Sequence, residues 1–376
     1  MATQSQPFTQ NSPLNKRLLS LDVFRGLTIA AMILVNDPGD WGHIYAPLEH
    51  SKWNGCTPTD LIFPFFLFMV GVSIIYAMES KKETVSHSKL ILKAFRRMVI
   101  ILLIQYAIQL LFHHGLSHMR IPGVLPRIAV VYFICTVLYV KTSQKTRDWI
   151  FVIALVGYYI IMNFIPVPGV GYANLEPATN MGAWVDRMVF TPNHLWAESR
   201  TWDPEGLLGT IPAIATCLFG IRLGSWLKRK DRDDNVKVNW MFNYGVISVI
   251  LALIWDLFFP INKALWTSSF VLYAGGLATI GLALSYWLID VQGYKKFTAP
   301  FVALGANAIT AYILADFIPH YLSKITGDAK GNPFYHAFFT SFLSPINASL
   351  ASAIFIVLVI WLVMWILYKR KIIIKV

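Results

Sequence analysis

His50, Trp53, Asn54 and Asp60 stand together in the stretch EHSKWNGCTPTDLIFPFFLFMVG, just before the chain turns almost wholly apolar. His50 is the natural reactive group, because an imidazole changes protonation near neutral pH and can serve as a general base or a covalent acyl carrier. Asp60 is a candidate to orient that ring, fix its tautomer and stabilise its cation. Asn36, which closes the preceding apolar run, carries an amide able to donate to a developing oxyanion. His50, Asn36 and Asp60 are therefore the candidate catalytic set, and the chemistry they suit is acyl or proton transfer.

The elements that must position them lie in a membrane. Of the 376 residues 56% are hydrophobic and 14% charged, and the mean hydropathy is +0.54, a balance that excludes an ordinary soluble domain. Apolar runs long enough to cross a bilayer recur near 19–36, 57–78, 97–112, 124–140, 149–165, 206–227, 240–259, 265–288, 299–322 and 346–368. The expected fold is all-α: a polytopic helical bundle of about ten transmembrane helices. Residues 1–15 read as a polar disordered tail, and 16–376 as one transmembrane domain whose longest connection, about 166–205, has room only for a small cap. With the N-terminus inside, 22 of the 32 lysines and arginines fall on inner segments and eight on outer ones, so both termini are expected in the cytoplasm. The net charge of +12 then reflects topology and anionic lipid, and no nucleic-acid partner is called for. Three cysteines, Cys56, Cys135 and Cys217, make neither a disulfide framework nor a metal set.

This orientation brings polar residues from several spans to one depth near the outer boundary. Asn36 ends the first helix, with Asp37 and Asp40 beyond it. His50, Trp53, Asn54 and Asp60 precede or open the second, and Arg127 opens the fourth. Asp203 and Glu205 precede the sixth, and PINKALW supplies Asn262, Lys263 and Trp266 between the seventh and eighth. Ionisable groups at this depth pair with one another or face a wet cavity. Trp53, Asn54, Arg127, Asp203, Glu205, Asn262 and Lys263 are accordingly the substrate-binding candidates. HHGLSH, with His113, His114 and His118, reads as a surface loop rather than a metal site, and no metal is expected. Gly220 and Gly224 in GIRLG match the small-residue spacing of close helix contacts. Asn307 and Asp316 are polar positions inside the ninth span.

RLLSLDVFRGLTIAAMILVN followed by EHSKWNGCTPTDLIFPFFLFMVGVSI resembles the start of the heparan-alpha-glucosaminide N-acetyltransferase family. The likeness continues through RIPGVLPRIAVVYF, WDPEGLLGTIPAIATCLFGIRLG, PINKALWTSSFVLYAGG and LGANAITAYI, and so covers most of residues 17–320. The resemblance implies a multi-pass enzyme that takes acetyl from cytoplasmic acetyl-CoA and delivers it to an amino sugar or glycan on the far side. It places the family's essential histidine on His50 and an asparagine of the preceding helix on Asn36. Arg25, Arg96, Arg97 and Arg222, with Asn307, become the candidates for CoA, since guanidinium groups match phosphate. A homodimer and a bacterial inner membrane, with the acceptor site facing the periplasm, are also implied. The residues leave general-base and acetyl-histidine routes open. They also leave two alternatives, a sugar or glycan transporter or flippase and an acyltransferase acting on a hydroxyl.

Overall fold

A computed structural model describes residues 18–112, 115–326 and 334–374. The expected tail over residues 1–15, His113 and His114 lie outside the described residues, as do Lys16, Arg17, Lys330 and Lys375 of the charge pattern. The helices are α1 (Leu19–Asn36), α2 (Ile62–Lys82), α3 (His87–Phe112), α4 (Val124–Lys141), α5 (Gln144–Phe164) and α6 (Met181–Phe190), then α7 (Thr210–Leu227), α8 (Asp234–Asp256), α9 (Ser268–Tyr286), α10 (Ala299–Ala306), α11 (Ala308–Thr326) and α12 (Pro345–Lys369).

Among the described residues eight helices are long and apolar enough to cross a membrane, nine if a bent pair is one crossing. Their outer faces carry Leu253, Ile254, Leu257 and Phe258 at the end of α8 and Leu358, Leu362 and Ile366 on α12, all exposed. Water would punish such faces, and a bilayer does not. The third expected run, 97–112, forms the later part of α3, and Lys89, Lys93 and Arg96 precede it. One expected crossing changes. The ninth is not one rod, because α10 and α11 meet at Asn307 with an 83° bend.

Small residues bring the helices that build the centre into backbone contact. A Cβ on Gly71 of α2 would stand 2.0 Å from the carbonyl oxygen of Cys217 on α7, and one on Gly220 would stand 1.9 Å from that of Phe68. The GIRLG expectation is thus realised at the α2/α7 crossing. Gly26 of α1 meets Phe301 of α10 in the same way, at 1.9 Å. Arg25, one residue earlier, donates to the carbonyl of Gly305 at 2.6 Å. These contacts hold α1, α2, α7 and α10 too close for side chains to intervene.

The described ends of the chain meet on one face of the bundle. Ser20 N–H donates to Asp290 past α9 at 3.0 Å. The Asn307 amide donates to the Ile372 carbonyl at 3.1 Å and accepts from Ile374 N–H at 2.9 Å. Asn307, at the break between α10 and α11, therefore clasps the segment after α12 with its side-chain amide.

The opposite face carries the loops. A parallel bridge joins Gly55 to Asn262, with Gly55 N–H donating to Ile261 O at 2.7 Å. Gly55 sits at φ +101°, in the left-handed region. Between α5 and α7 the chain forms a cap around α6, whose first turn is closed by Asn180 accepting from Ala183 N–H at 2.9 Å.

Candidate active site

Asp60 belongs both to helix α2 and to His50. Pro58 and a reciprocal cap between Thr57 and Asp60 start the 3₁₀ turn that leads into α2. One carboxylate oxygen of Asp60 accepts from Thr57 N–H and Ser51 N–H, both at 3.0 Å, and from the Thr57 hydroxyl at 3.2 Å. The other lies 2.6 Å from His50 Nδ1. The Asp60 side chain is 1% exposed and that of His50 47%. A carboxylate only accepts, so Nδ1 carries the proton and Nε2 presents its lone pair. The chain has built a helix cap whose spare oxygen sets the tautomer of a half-exposed imidazole.

That imidazole lines a cavity of about 100 Å³ with Asn36, Glu205, Lys263 and Tyr312. Beneath it lies a second chamber of about 570 Å³. Phe66, Ile128, Ala308 and Ile309 line both, so one apolar partition separates the two. The lower chamber is ringed by Arg25, Lys81, Lys93, Arg96 and Arg97. Arg25 is paired with Asp22 at 2.6 Å. Arg97 lies over the Tyr132 ring at 4.7 Å, and its Nε is buried without a hydrogen-bond partner. Among the described residues no carboxylate pairs with Lys93, Arg96 or Arg97. Cations so concentrated call for an anion.

Several candidates prove to be architecture. Asp203 and Glu205 are both bound by Arg120: Nε and Nη2 reach Asp203 at 2.8 and 2.6 Å, and Nη2 reaches Glu205 at 2.5 Å. Arg127, 3% exposed, donates to the carbonyls of Pro204 and Gly206 at 3.0 and 2.7 Å and lies over the Trp266 ring. The 203–206 turn is thus cinched by two arginines. Burial alone would raise Glu205, but the charges of Arg120, Lys263 and Arg127 outweigh it and hold the carboxyl below its ordinary value. Glu205 reaches the cavity already neutralised, so it is no open acceptor for a protonated amine, and Asp203 does not line the cavity.

Asn262 is buried, bonding Asn54 at 3.1 Å and capping Leu265 N–H at 2.8 Å. Trp53 donates its indole N–H to Leu175 O at 3.0 Å. Of the seven substrate-binding candidates, Glu205 and Lys263 line the cavity, and Lys263 has no ion pair among the described residues. Of the CoA candidates, Arg25, Arg96, Arg97 and Asn307 line the lower chamber. Arg222 does not: it is exposed and faces Asp148 at 3.3 Å. Cys56 is half-buried, and burial together with the Asp60 charge pushes its thiol up to about 12, the wrong direction for a nucleophile. His118 bonds its neighbour Ser117 at 2.9 Å.

Sequence reasoning missed Tyr312, Lys81 and Lys93, and the apolar partition. Tyr312 lies between Asn307 and Asp316 in the ninth span, where an aromatic ring in an apolar run reads as packing. The lysines read as topology signals, and nothing local tells a lysine that faces lipid headgroups from one that faces a chamber.

Comparison with known proteins agrees with the motifs that first suggested a family. The model of the heparan-alpha-glucosaminide N-acetyltransferase catalytic region matches residues 17–259. The heparan-alpha-glucosaminide N-acetyltransferases of Mus musculus and Homo sapiens are each 30% identical to this chain, over 85% and 84% of it. The chain spans about half the length of these relatives, 56% and 55%. The matched region contains α1 to α8, and with them His50, Asp60, Asn36 and the basic residues of α3. By its sequence, its helical architecture and the extent of the match, the chain belongs to the heparan-alpha-glucosaminide N-acetyltransferase family.

Proposed function

We propose that the chain is a membrane acetyltransferase that draws acetyl from acetyl-CoA in the basic chamber and passes it to the amino group of a glucosamine-type sugar beside His50. The observation that carries this reading is the shared partition: a cation-rich chamber and a histidine-bearing cavity abut inside one bundle, separated by four apolar side chains. The basic side is the cytoplasmic one by the charge rule. Its unpaired cations and the partnerless Nε of Arg97 fit the diphosphate and 3′-phosphate of CoA. The donor supplies an activated acyl group.

This chain's residues do the rest. His50 Nε2 takes the proton that the attacking amine loses, and Asp60 stabilises the resulting imidazolium through Nδ1. In the covalent alternative Nε2 itself holds the acetyl group first, with the same support from Asp60. Asn36 donates to the carbonyl oxygen as it gains charge. Lys263 disfavours a protonated amine in the cavity, so the acceptor enters as the neutral nucleophile.

The test is CoA release by purified protein given acetyl-CoA and glucosamine, compared with a folded His50→Ala variant. Acceptor-dependent release that disappears in the variant is expected. Equal release from both would remove His50 from the mechanism, and movement of glucosamine across a vesicle without CoA release would identify a transporter. Label from acetyl-CoA trapped on His50 without acceptor would select the covalent route.

A further inference from the structure

The polar side chains that line the His50 cavity divide into those already engaged and those free to act. Thr28 donates its hydroxyl to the Phe24 carbonyl at 2.9 Å, and Thr59 donates to that of Pro47 at 3.4 Å. His50 Nδ1 is held by Asp60 and Glu205 by Arg120, while the Lys263 charge acts on Glu205. Two neutral donors remain, the Asn36 amide and the Tyr312 hydroxyl. Neither has a hydrogen-bond partner among the described residues. A tyrosine inside a protein ordinarily gives its hydroxyl to a protein partner. Tyr312 is half-buried with its ring on the cavity, and its oxygen is accessible rather than sealed in.

The fold puts this hydroxyl beside the partition. Ala308 and Ile309, in the first turn of α11, line both the basic chamber and the His50 cavity, whereas Tyr312 lines the cavity alone. Residues four apart share a helix face, so Tyr312 stands about one turn beyond Ala308, on the His50 side. Asn36 comes from the end of α1, whose Ile29 and Ile33 join one apolar cluster with Ala311 and Ala315 of α11. The two free donors are therefore carried by packed neighbours and line the same cavity as His50.

Acetyl transfer puts negative charge on the acetyl oxygen. As the amine nitrogen bonds to the carbonyl carbon, the π pair moves onto that oxygen. Its return breaks the C–S bond, and sulfur leaves with the bonding pair and takes the proton that His50 Nε2 removed from the amine. In the acetyl-histidine route the same oxygen gains charge in both halves of the reaction. Donors fixed where that charge develops lower the barrier, and a phenol is such a donor without adding net charge. We propose that Tyr312 is a catalytic residue whose hydroxyl donates to the acetyl oxygen beside the Asn36 amide, completing a two-donor oxyanion site. This rests on the acetyl-transfer reading above.

The test is Tyr312→Phe, which keeps the ring against the partition and removes one donor. With acetyl-CoA and glucosamine, kcat for CoA release is expected to fall about 10²-fold, the loss typical of one oxyanion donor, with KM for both substrates within about twofold. A folded variant that keeps more than about a tenth of native kcat overturns the proposal. So does a rise in KM with kcat unchanged, which would assign the ring to binding. Infrared spectra of acetyl-CoA isotope-labelled at the carbonyl and bound to the His50→Ala protein read the same contact without turnover. The carbonyl band is expected at lower frequency there than in the protein carrying both His50→Ala and Tyr312→Phe, and coincident bands overturn the contact. If native protein releases no CoA with glucosamine, the reaction assignment fails, while the infrared band still decides whether Tyr312 meets the acetyl oxygen.

Discussion

Replacing Asp60 by asparagine tests the link between helix capping and chemistry. The oxygen that accepts from Ser51 and Thr57 N–H has three donors aimed at it, so the asparagine carbonyl takes that place. Its NH₂ then points at His50 Nδ1, 2.6 Å away in the native site. A donor there forces the proton onto Nε2, the atom that must accept one. The imidazolium also loses its counter-charge. With an effective dielectric constant of about 20, unit charges centred about 4 Å apart are worth about 4 kcal/mol, less here because His50 is half-exposed. Loss of a charged hydrogen bond alone is worth about 1.5–3 kcal/mol. Together these predict a barrier higher by about 3–5 kcal/mol, or kcat lower by about 10² to 10⁴. The cap survives, so Tm should fall by only a few degrees. The assay is CoA release at saturating acetyl-CoA and glucosamine with thermal unfolding in the same detergent. A well-folded Asp60→Asn protein retaining more than a tenth of native kcat would refute the tautomer argument.

Other predictions follow from the same contacts. Arg97→Gln should raise KM for acetyl-CoA about tenfold with glucosamine KM unchanged, because one unpaired cation leaves the lower chamber; parallel changes in both constants would argue against that chamber as the donor site. Arg120→Met leaves two buried carboxylates without their cation and should cost about 3–5 kcal/mol, seen as a large drop in Tm. Asp186 in α6 is 2% exposed, and burial raises its carboxyl to about 6 against the hydrogen bond from Leu207 N–H. A raised aspartate favours the fold only while protonated, so its stability is full below about 3.8 and is lost as pH rises through about 6. That loss amounts to about 2–3 kcal/mol by pH 7. Asp186→Asn should flatten the fall in Tm between about pH 4 and 6, and an unchanged slope would place the titration elsewhere.

The membrane class, most of the crossings and the neighbourhood of His50 were legible in the sequence because they are local. Hydropathy is a property of consecutive residues, and His50, Thr57 and Asp60 are close enough along the chain for one loop to join them. Even there, sequence did not reveal that Asp60 caps a helix and orients the ring with different oxygens. The polar cluster at the outer depth was visible, but its internal pairing was not. Arg120 and Asp203 are 83 residues apart, and only packing shows that the carboxylates are already spent. The break at Asn307 escaped because every residue around it suits an apolar helix. There the Asn307 side chain bonds the backbone of Ile372 and Ile374, 65 and 67 residues away, a contact that no local reading supplies. Tyr312, the shared partition and the two chambers depend on which faces of α1, α2, α4 and α11 turn toward one another. An apolar span leaves that choice open, and tertiary packing makes it, because in lipid every face is equally soluble and only shape and hydrogen bonding distinguish them.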